Sequence, residues 1–257
     1  MKILISSDGP GAHFYERLGI ARAAEACGHQ VNLWSIQGKS ELDVFDEFEP
    51  DLFIGQAYNL TDALEQAIVE RPNLLCWMKA GDYGYLADNY PKHYEILVAS
   101  EEEKTRVSRL YEKCQKPQLV GCHYLPNRLK ETHGYWENLG PKLHSMVLAS
   151  DVFDYTGGQE LPEFKSDLTF VGGSWKYKNL SFQEYLFPLF NPKYDYNIKI
   201  FGNSVWGTHF YAGCLENEYV KHALKSATIC PNISEPHARD LKIHAEICER
   251  PFKLASN

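Results

Sequence analysis

A short apolar run, a helix and a second short apolar run, repeated with brief links, is the pattern that most restricts how this chain can fold. Lys2-Ile-Leu-Ile5 reads as a buried strand and Asp8-Gly-Pro-Gly11 as a turn. A helix follows from Ala12 to Cys27, with Phe14, Leu18, Ala21 and Ala24 on one face and Gly28 as its C-terminal stop. Gln30-Val-Asn-Leu-Trp34 is the next strand. Two strands joined through one helix pair in parallel by a right-handed crossover, so helices must cover the sheet. The pattern recurs as a strand at 51–54, a helix capped by Thr61 and running to Glu70, and a strand at 73–78. It continues with a strand at 96–99, a helix opened by a Ser100–Glu103 capping box and ending near Cys114, and a strand at 118–120. An open, doubly wound α/β domain over residues 1–140 is expected. Ligands of such sheets lie beyond the carboxyl ends of the strands, which places Asp8 to His13, Gln56 to Asn59 and Lys79 to Tyr85 on one crevice.

Alternation lapses between Leu125 and Gly140, where Pro126, Gly134, Gly140 and Pro141 mark loops, and it resumes near Met146 or Leu168. The 257 residues permit two α/β domains or one large one, and the resumed alternation is read as a second α/β domain over 141–257, joined through residues 125 to 165. Its strands are read at 168–171, 197–201 and 227–230, and its helices at 181–190, 216–226 and 240–248.

Charge narrows the partners. Lys and Arg number 26 against 34 Asp and Glu, a formal net charge of -8, which disfavours a nucleic-acid reader or an anionic membrane surface. No stretch approaches the roughly 20 apolar residues that span a bilayer. The apolar run at Met1 is too short for a signal peptide, and the seven cysteines are odd in number and scattered, without a C-x-x-C pair. Reduced thiols, a cytoplasmic setting and no metal site are the expectations.

The chemistry is concentrated after residue 166. Asp167-Leu-Thr-Phe-Val-Gly-Gly-Ser-Trp-Lys-Tyr-Lys178 is a strand that breaks into Gly172-Gly173-Ser174 and then meets two lysines. Backbone amides brought close by glycine, with cations beside them, suit a diphosphate. Ile198-Lys-Ile-Phe-Gly-Asn203 and Glu249-Arg-Pro-Phe-Lys-Leu-Ala255 complete the set. Each candidate also has an ordinary structural reading: Lys176 and Lys178 as solvated loop lysines, Asp8 and His13 as residues of a helix start, Asp82 as a turn residue.

In these blocks the chain resembles the two-domain GT-B-fold glycosyltransferases, and its second half is most similar to the spore-coat-maturation branch of the glycosyl transferases group 1 superfamily. The resemblance implies two Rossmann-like domains, with a nucleotide-sugar donor between them held mainly by the second and a glycan or other hydroxyl acceptor approaching from the first. It implies donor contacts from Gly172, Gly173, Ser174, Lys176, Asn203, Arg239, Glu249 and Arg250. It also implies metal-independent transfer of a hexosyl or pentosyl group without a cofactor, because helix N-termini and cationic side chains neutralise the leaving diphosphate. If the reaction inverts, Asp82, Asp8 or His13 takes the acceptor proton. If it retains, they position the acceptor. Two departures stand out: Lys253 occupies the position where the family commonly carries a carboxylate for the donor ribose, and the chain stops at Asn257 where the family continues with a Gly-rich turn, a strand and a closing helix. A trimmed chain and an abbreviated second domain both fit, and a catalytically weak nucleotide or nucleotide-sugar binding module of a larger protein is the alternative function. A dinucleotide enzyme is disfavoured, since Gly9-Pro-Gly11 is followed by Phe14 where a third glycine should stand.

Overall fold

A computed structural model describes residues 1–7, 12–80, 94–122, 126–146, 151–174, 179–233 and 250–257. They divide into two compact units, the first running from Met1 to Leu148 and the second beginning at Ala149. Both are built on parallel sheets with helices between the strands.

The first unit holds six parallel strands: β1 (Lys2–Ser7), β2 (Gln30–Ser35), β3 (Leu52–Gln56), β4 (Leu75–Lys79), β5 (Leu119–Cys122) and β6 (Lys142–Ser145). Their order is β2-β1-β3-β4-β5-β6, so the chain leaves β1 toward one side and β3 toward the other, and the switch point lies at the ends of these two strands. Alternation explains the packing. Ile3 and Ile5 of β1 and Leu52 and Ile54 of β3 share one face and bury against Ala21 of the helix α1 (Ala12–Ala26). That helix ends where Gly28 takes a φ of 81°, a conformation that costs glycine nothing and other residues a steric clash. On the opposite face Phe53 meets Phe45 of α2 (Glu41–Phe48), ring centroids 5.2 Å apart. The Thr61 hydroxyl accepts from the Leu64 N–H at 3.1 Å and opens α3 (Asp62–Val69), as its place before the apolar run requires.

The first unit departs from the sequence reading at three points. Residues 96–99 are not a strand and Ser100 opens no helix, because both lie inside α4 (Tyr94–Cys114). A four-residue apolar run satisfies either the helical or the strand period, and here the charged segment after it continues the helix. The helix Glu41–Phe48 falls in a stretch to which the sequence reading assigned no element, although Ser40 caps it through the Asp43 N–H. Finally Lys142–Ser145 pairs in parallel with β5, from Leu119↔Lys142 to Cys122↔Ser145, so the first unit runs past the expected boundary at 140. Lys142 and His144 face outward on this edge strand and hide its apolar signal.

Helices α3 and α4 are tied by charge. Glu65, only 4% exposed, accepts from Arg109 Nε at 2.9 Å and from Lys113 Nζ. Burial works to raise the Glu65 carboxyl, but the hydrogen bonds from Lys113 and Arg109 and their charges outweigh it and hold it below its ordinary 4.5. A depressed carboxylate contributes stability that is present above the unfolded value and lost as pH falls through the folded one. Glu65→Ala is therefore expected to cost about 1–3 kcal/mol, at the low end for a buried pair because both cations are half-exposed and recover their hydration. Thermal denaturation should show the gap from wild type holding above pH 4.5 and closing below it.

The second unit holds β7 (Ser166–Val171), β8 (Ile198–Phe201), β9 (Tyr211–Gly213) and β10 (Ala227–Ile229), all parallel, in the order β10-β7-β8-β9. Leu168, Phe170, Ile198 and Ile200 bury against Phe182, Leu186, Trp206 and Ile233. Trp206 is the hub, with its ring 5.4 Å from Phe170 and 4.9 Å from Phe182. The helix expected over 181–190 is irregular, a wide turn at Phe182–Leu186 followed by a tight one at Phe187–Phe190. Pro188 accounts for this, since it lacks an N–H and its ring collides with a regular helical turn. The helix Asn217–Lys225 forms where expected and buries Ala223 and Leu224. A second switch point falls at the carboxyl ends of β7 and β10.

Candidate functional site

The strand β7 ends at Val171 and β8 at Phe201, and the loops that follow lock onto each other. The Gly172 N–H donates to the Phe201 carbonyl at 2.8 Å, extending the ladder by one rung. The Gly172 carbonyl accepts from Trp206 Nε1 at 3.2 Å, so the hub of the apolar core also fixes the first residue of the loop. The Ser174 N–H donates to Ser204 Oγ at 3.0 Å, and that hydroxyl leans back on the Ser174 carbonyl at 3.4 Å. On the other side the Gly202 N–H donates to the Gly213 carbonyl at 3.1 Å, and the Gly202 carbonyl accepts from the Tyr211 hydroxyl at 2.9 Å.

Glycine is required at position 202, where these loops cross. A β-carbon at Gly202 would stand 2.3 Å from the Gly172 carbonyl oxygen and 3.1 Å from Trp206 Nε1. One at Gly173 would stand 3.1 Å from Asn203 Oδ1. The close approach of the two backbones depends on Gly202, whereas at Gly173 the neighbour is a side-chain amide that need give only a few tenths of an ångström.

Of the three amides that the sequence assigns to a diphosphate, two are already engaged: Gly172 N–H with Phe201 and Ser174 N–H with Ser204. Among the described residues the Gly173 N–H meets no acceptor. The loop therefore offers one open amide at its apex, half-buried and held by bonds on either side, rather than a row of three. Asn203 is exposed beside it. This arrangement can hold an oxygen of an anion or a hydroxyl at the apex and present an amide side chain to the same ligand.

Of the other residues read as functional, Asp8, Asp82, Lys176, Arg239 and Glu249 lie outside the described residues. His13 is the second residue of α1 and Arg250 the first of the helix Arg250–Ala255, and the side chains of both also lie outside. Gly172, Gly173, Ser174 and Asn203 are brought together. Sequence reasoning missed Gly202, Ser204 and Trp206. Gly202 stands directly after an apolar strand, as Gly172 does, and that parallel was the available signal. Lys253, the departure from the family pattern, sits over the Tyr155 ring at 4.1 Å, and the Asn257 side chain closes the same corner on the Tyr155 carbonyl at 2.6 Å. Among the described residues no helix is long and apolar enough to cross a membrane.

No protein-family model matches the chain, and no curated protein matches it. Solved structures similar to it include the glycosyltransferase SsfS6 of Streptomyces sp. SF2575, at 10% identity and a TM-score of 0.46, over 90% of this chain and 75% of that one. The glycosyltransferase SnogD from Streptomyces nogalater aligns at 15% identity and a TM-score of 0.46 over the same shares. The glycosyltransferase of kitacinnamycin aligns at 12% identity and a TM-score of 0.45, over 99% of this chain and 89% of that one.

Proposed function

We propose that this chain is a glycosyltransferase that moves a sugar from a nucleotide-diphosphate sugar to an acceptor hydroxyl without a metal ion. The observation that carries the reading is the open Gly173 amide, held at the apex of two interlocked loops at the carboxyl ends of β7 and β8. A donor oxygen accepts from that amide, and the bonds around it keep the amide in place while charge develops on the leaving diphosphate. Lys176, Arg239 and Arg250 supply the cations in this reading, and Asn203 and Glu249 contact the rest of the donor. In an inverting reaction Asp82, with Asp8 and His13 as its alternatives, accepts the proton of the acceptor hydroxyl.

Calorimetric titration with UDP, TDP, GDP and ADP in excess chelator tests the donor half of the proposal. One of the four is expected to bind, and its affinity to be unchanged by chelator, since the anion site uses an amide and lysine rather than acidic side chains around Mg²⁺. Binding that appears only when Mn²⁺ is added back overturns the metal-free part. Lys176→Ala is expected to weaken the same ligand about tenfold, in line with the loss of one charge-assisted hydrogen bond.

A further inference from the structure

We propose that this chain pairs with a second copy of itself through the first unit, α1 of each copy lying on the open half of the other's sheet. All-parallel sheets are covered on both faces. From β2 to β6 the chain steps across the first sheet in one direction, so right-handed crossovers put α2, α3, α4 and the helix Pro126–His133 on one face. The step from β1 to β2 runs the other way and leaves α1, among the described residues, as the only helix of this unit on the opposite face. Burial follows that division. Cys76, Met78 and Val120, on the face of the many helices, are buried. Leu75 and Trp77, on the α1 face of β4, are 44% and 41% exposed, although β4 lies inside a six-stranded sheet with a partner on either side.

A bare stretch of sheet of this kind takes a helix, and that helix needs an apolar side to spare. α1 has one. Ala21 faces the sheet, and at about 100° per residue this turns Tyr15, Gly19, Arg22, Ala23 and Ala26 outward. Arg22 is the single charge among them, where a surface helix ordinarily carries a polar stripe, and Ala23 and Ala26 are exposed. A helix apolar on all sides is a helix made to be buried.

The two features fit each other across a twofold axis. α1 lies over β1, and β4 is two strand spacings away, about 10 Å. Packed helices sit about 8–10 Å apart, so a second helix over β4 fits beside α1. An axis parallel to the strands and above β3 puts the partner's α1 there, and puts this α1 over the partner's β4, in a closed isologous contact. Each α1 is then covered on one side by its own β1 and on the other by the partner's Leu75 and the partner's Trp77. The rims match in charge. Glu25 is exposed on the β2 side of α1, which the axis turns toward the partner's edge strand β6, where Lys142 is exposed.

Sedimentation velocity of the full chain, without nucleotide, over roughly 1 to 100 µM tests the pairing. A species of twice the 29.4 kDa of one chain is expected. Ala23→Glu and Trp77→Glu each put an unpaired charge into the contact and are expected to weaken association about a hundredfold or more. Ala23 is exposed in the single copy, so Ala23→Glu should keep the far-UV spectrum of the wild type. Trp77 should be protected from hydroxyl radicals in the wild type and reactive in Ala23→Glu. If Trp77→Glu does not fold, Ala23→Glu alone decides. A wild type that stays monomeric at the highest concentration overturns the proposal. So does a dimer that Ala23→Glu leaves intact, which puts the contact on another surface. A monomer with Trp77 protected at every concentration would assign the face to another segment of the same chain, and overturns the pairing equally.

Discussion

Gly202→Val should weaken nucleoside diphosphate binding at least tenfold while leaving the first unit folded. The added β-carbon would lie 2.3 Å from the Gly172 carbonyl oxygen, a backbone atom that no rotamer change can move. The loops after β7 and β8 must then separate, and the bonds from Gly172 N–H to Phe201 and from Trp206 Nε1 to Gly172 lengthen or break with them. Forcing extra volume into such a crossing costs about 1–3 kcal/mol in stability. The effect on binding should be larger than on folding, at least tenfold in affinity, because the Gly173 amide loses the geometry that its neighbours impose. Gly207→Ala is the control: a β-carbon there meets nothing within 4 Å, and both binding and stability should match the wild type. Affinity by calorimetry and midpoints in urea check the pair.

Trp206→Ala should cost about 3–5 kcal/mol, the usual penalty for emptying a buried aromatic site. Its ring is 4% exposed and packs on Phe170 and Phe182, so the cavity opens in the middle of the second core. Trp206→Phe separates packing from anchoring. It keeps a ring in the core but removes the Nε1 bond to the Gly172 carbonyl, and should cost about 0.5–1.5 kcal/mol for that bond plus a smaller cavity. Hydrogen exchange of the β7 and β8 amides should accelerate strongly in the alanine variant and modestly in the phenylalanine one.

Much of this fold was legible because its strands are short and apolar and its helices carry their own caps. Lys2-Ile-Leu-Ile5 and Ile198-Lys-Ile-Phe201 could only be buried strands, and Thr61 and Gly28 mark helix ends by chemistry that needs no tertiary context. The misreadings came where local signals conflict. Ile96-Leu-Val-Ala99 has no period of its own, and Ser100 with Glu103 has the sequence of a capping box yet lies inside a helix. Edge strand Lys142–Ser145 has Leu143 as its one apolar residue, so nothing in its composition separated it from the loop before it.

The candidate site was legible only in its first half. Gly172, Gly173 and Ser174 announce a loop after a strand, but that two of their three amides are consumed follows from β8 lying beside β7, a relation between distant residues that spacing cannot reveal. The same holds for Gly202 and Trp206, whose roles exist only across the pair of loops. Gln56 and Lys79 were anticipated as lining a crevice; the ion pair of Lys79 with Glu16 required the packing of α1 over the sheet.

The open amide of Gly173 is the most direct point of test. In a ¹⁵N-labelled sample titrated in chelator with whichever nucleoside diphosphate binds, the Gly173 amide resonance should show the largest downfield proton shift among the backbone amides of residues 166–206, saturating at the calorimetric affinity. The Gly172 and Ser174 amides, already donating to Phe201 and Ser204, should move less. A saturating ligand that leaves Gly173 unmoved and shifts amides elsewhere would contradict the placement of the donor diphosphate on this loop, and with it the proposed transferase.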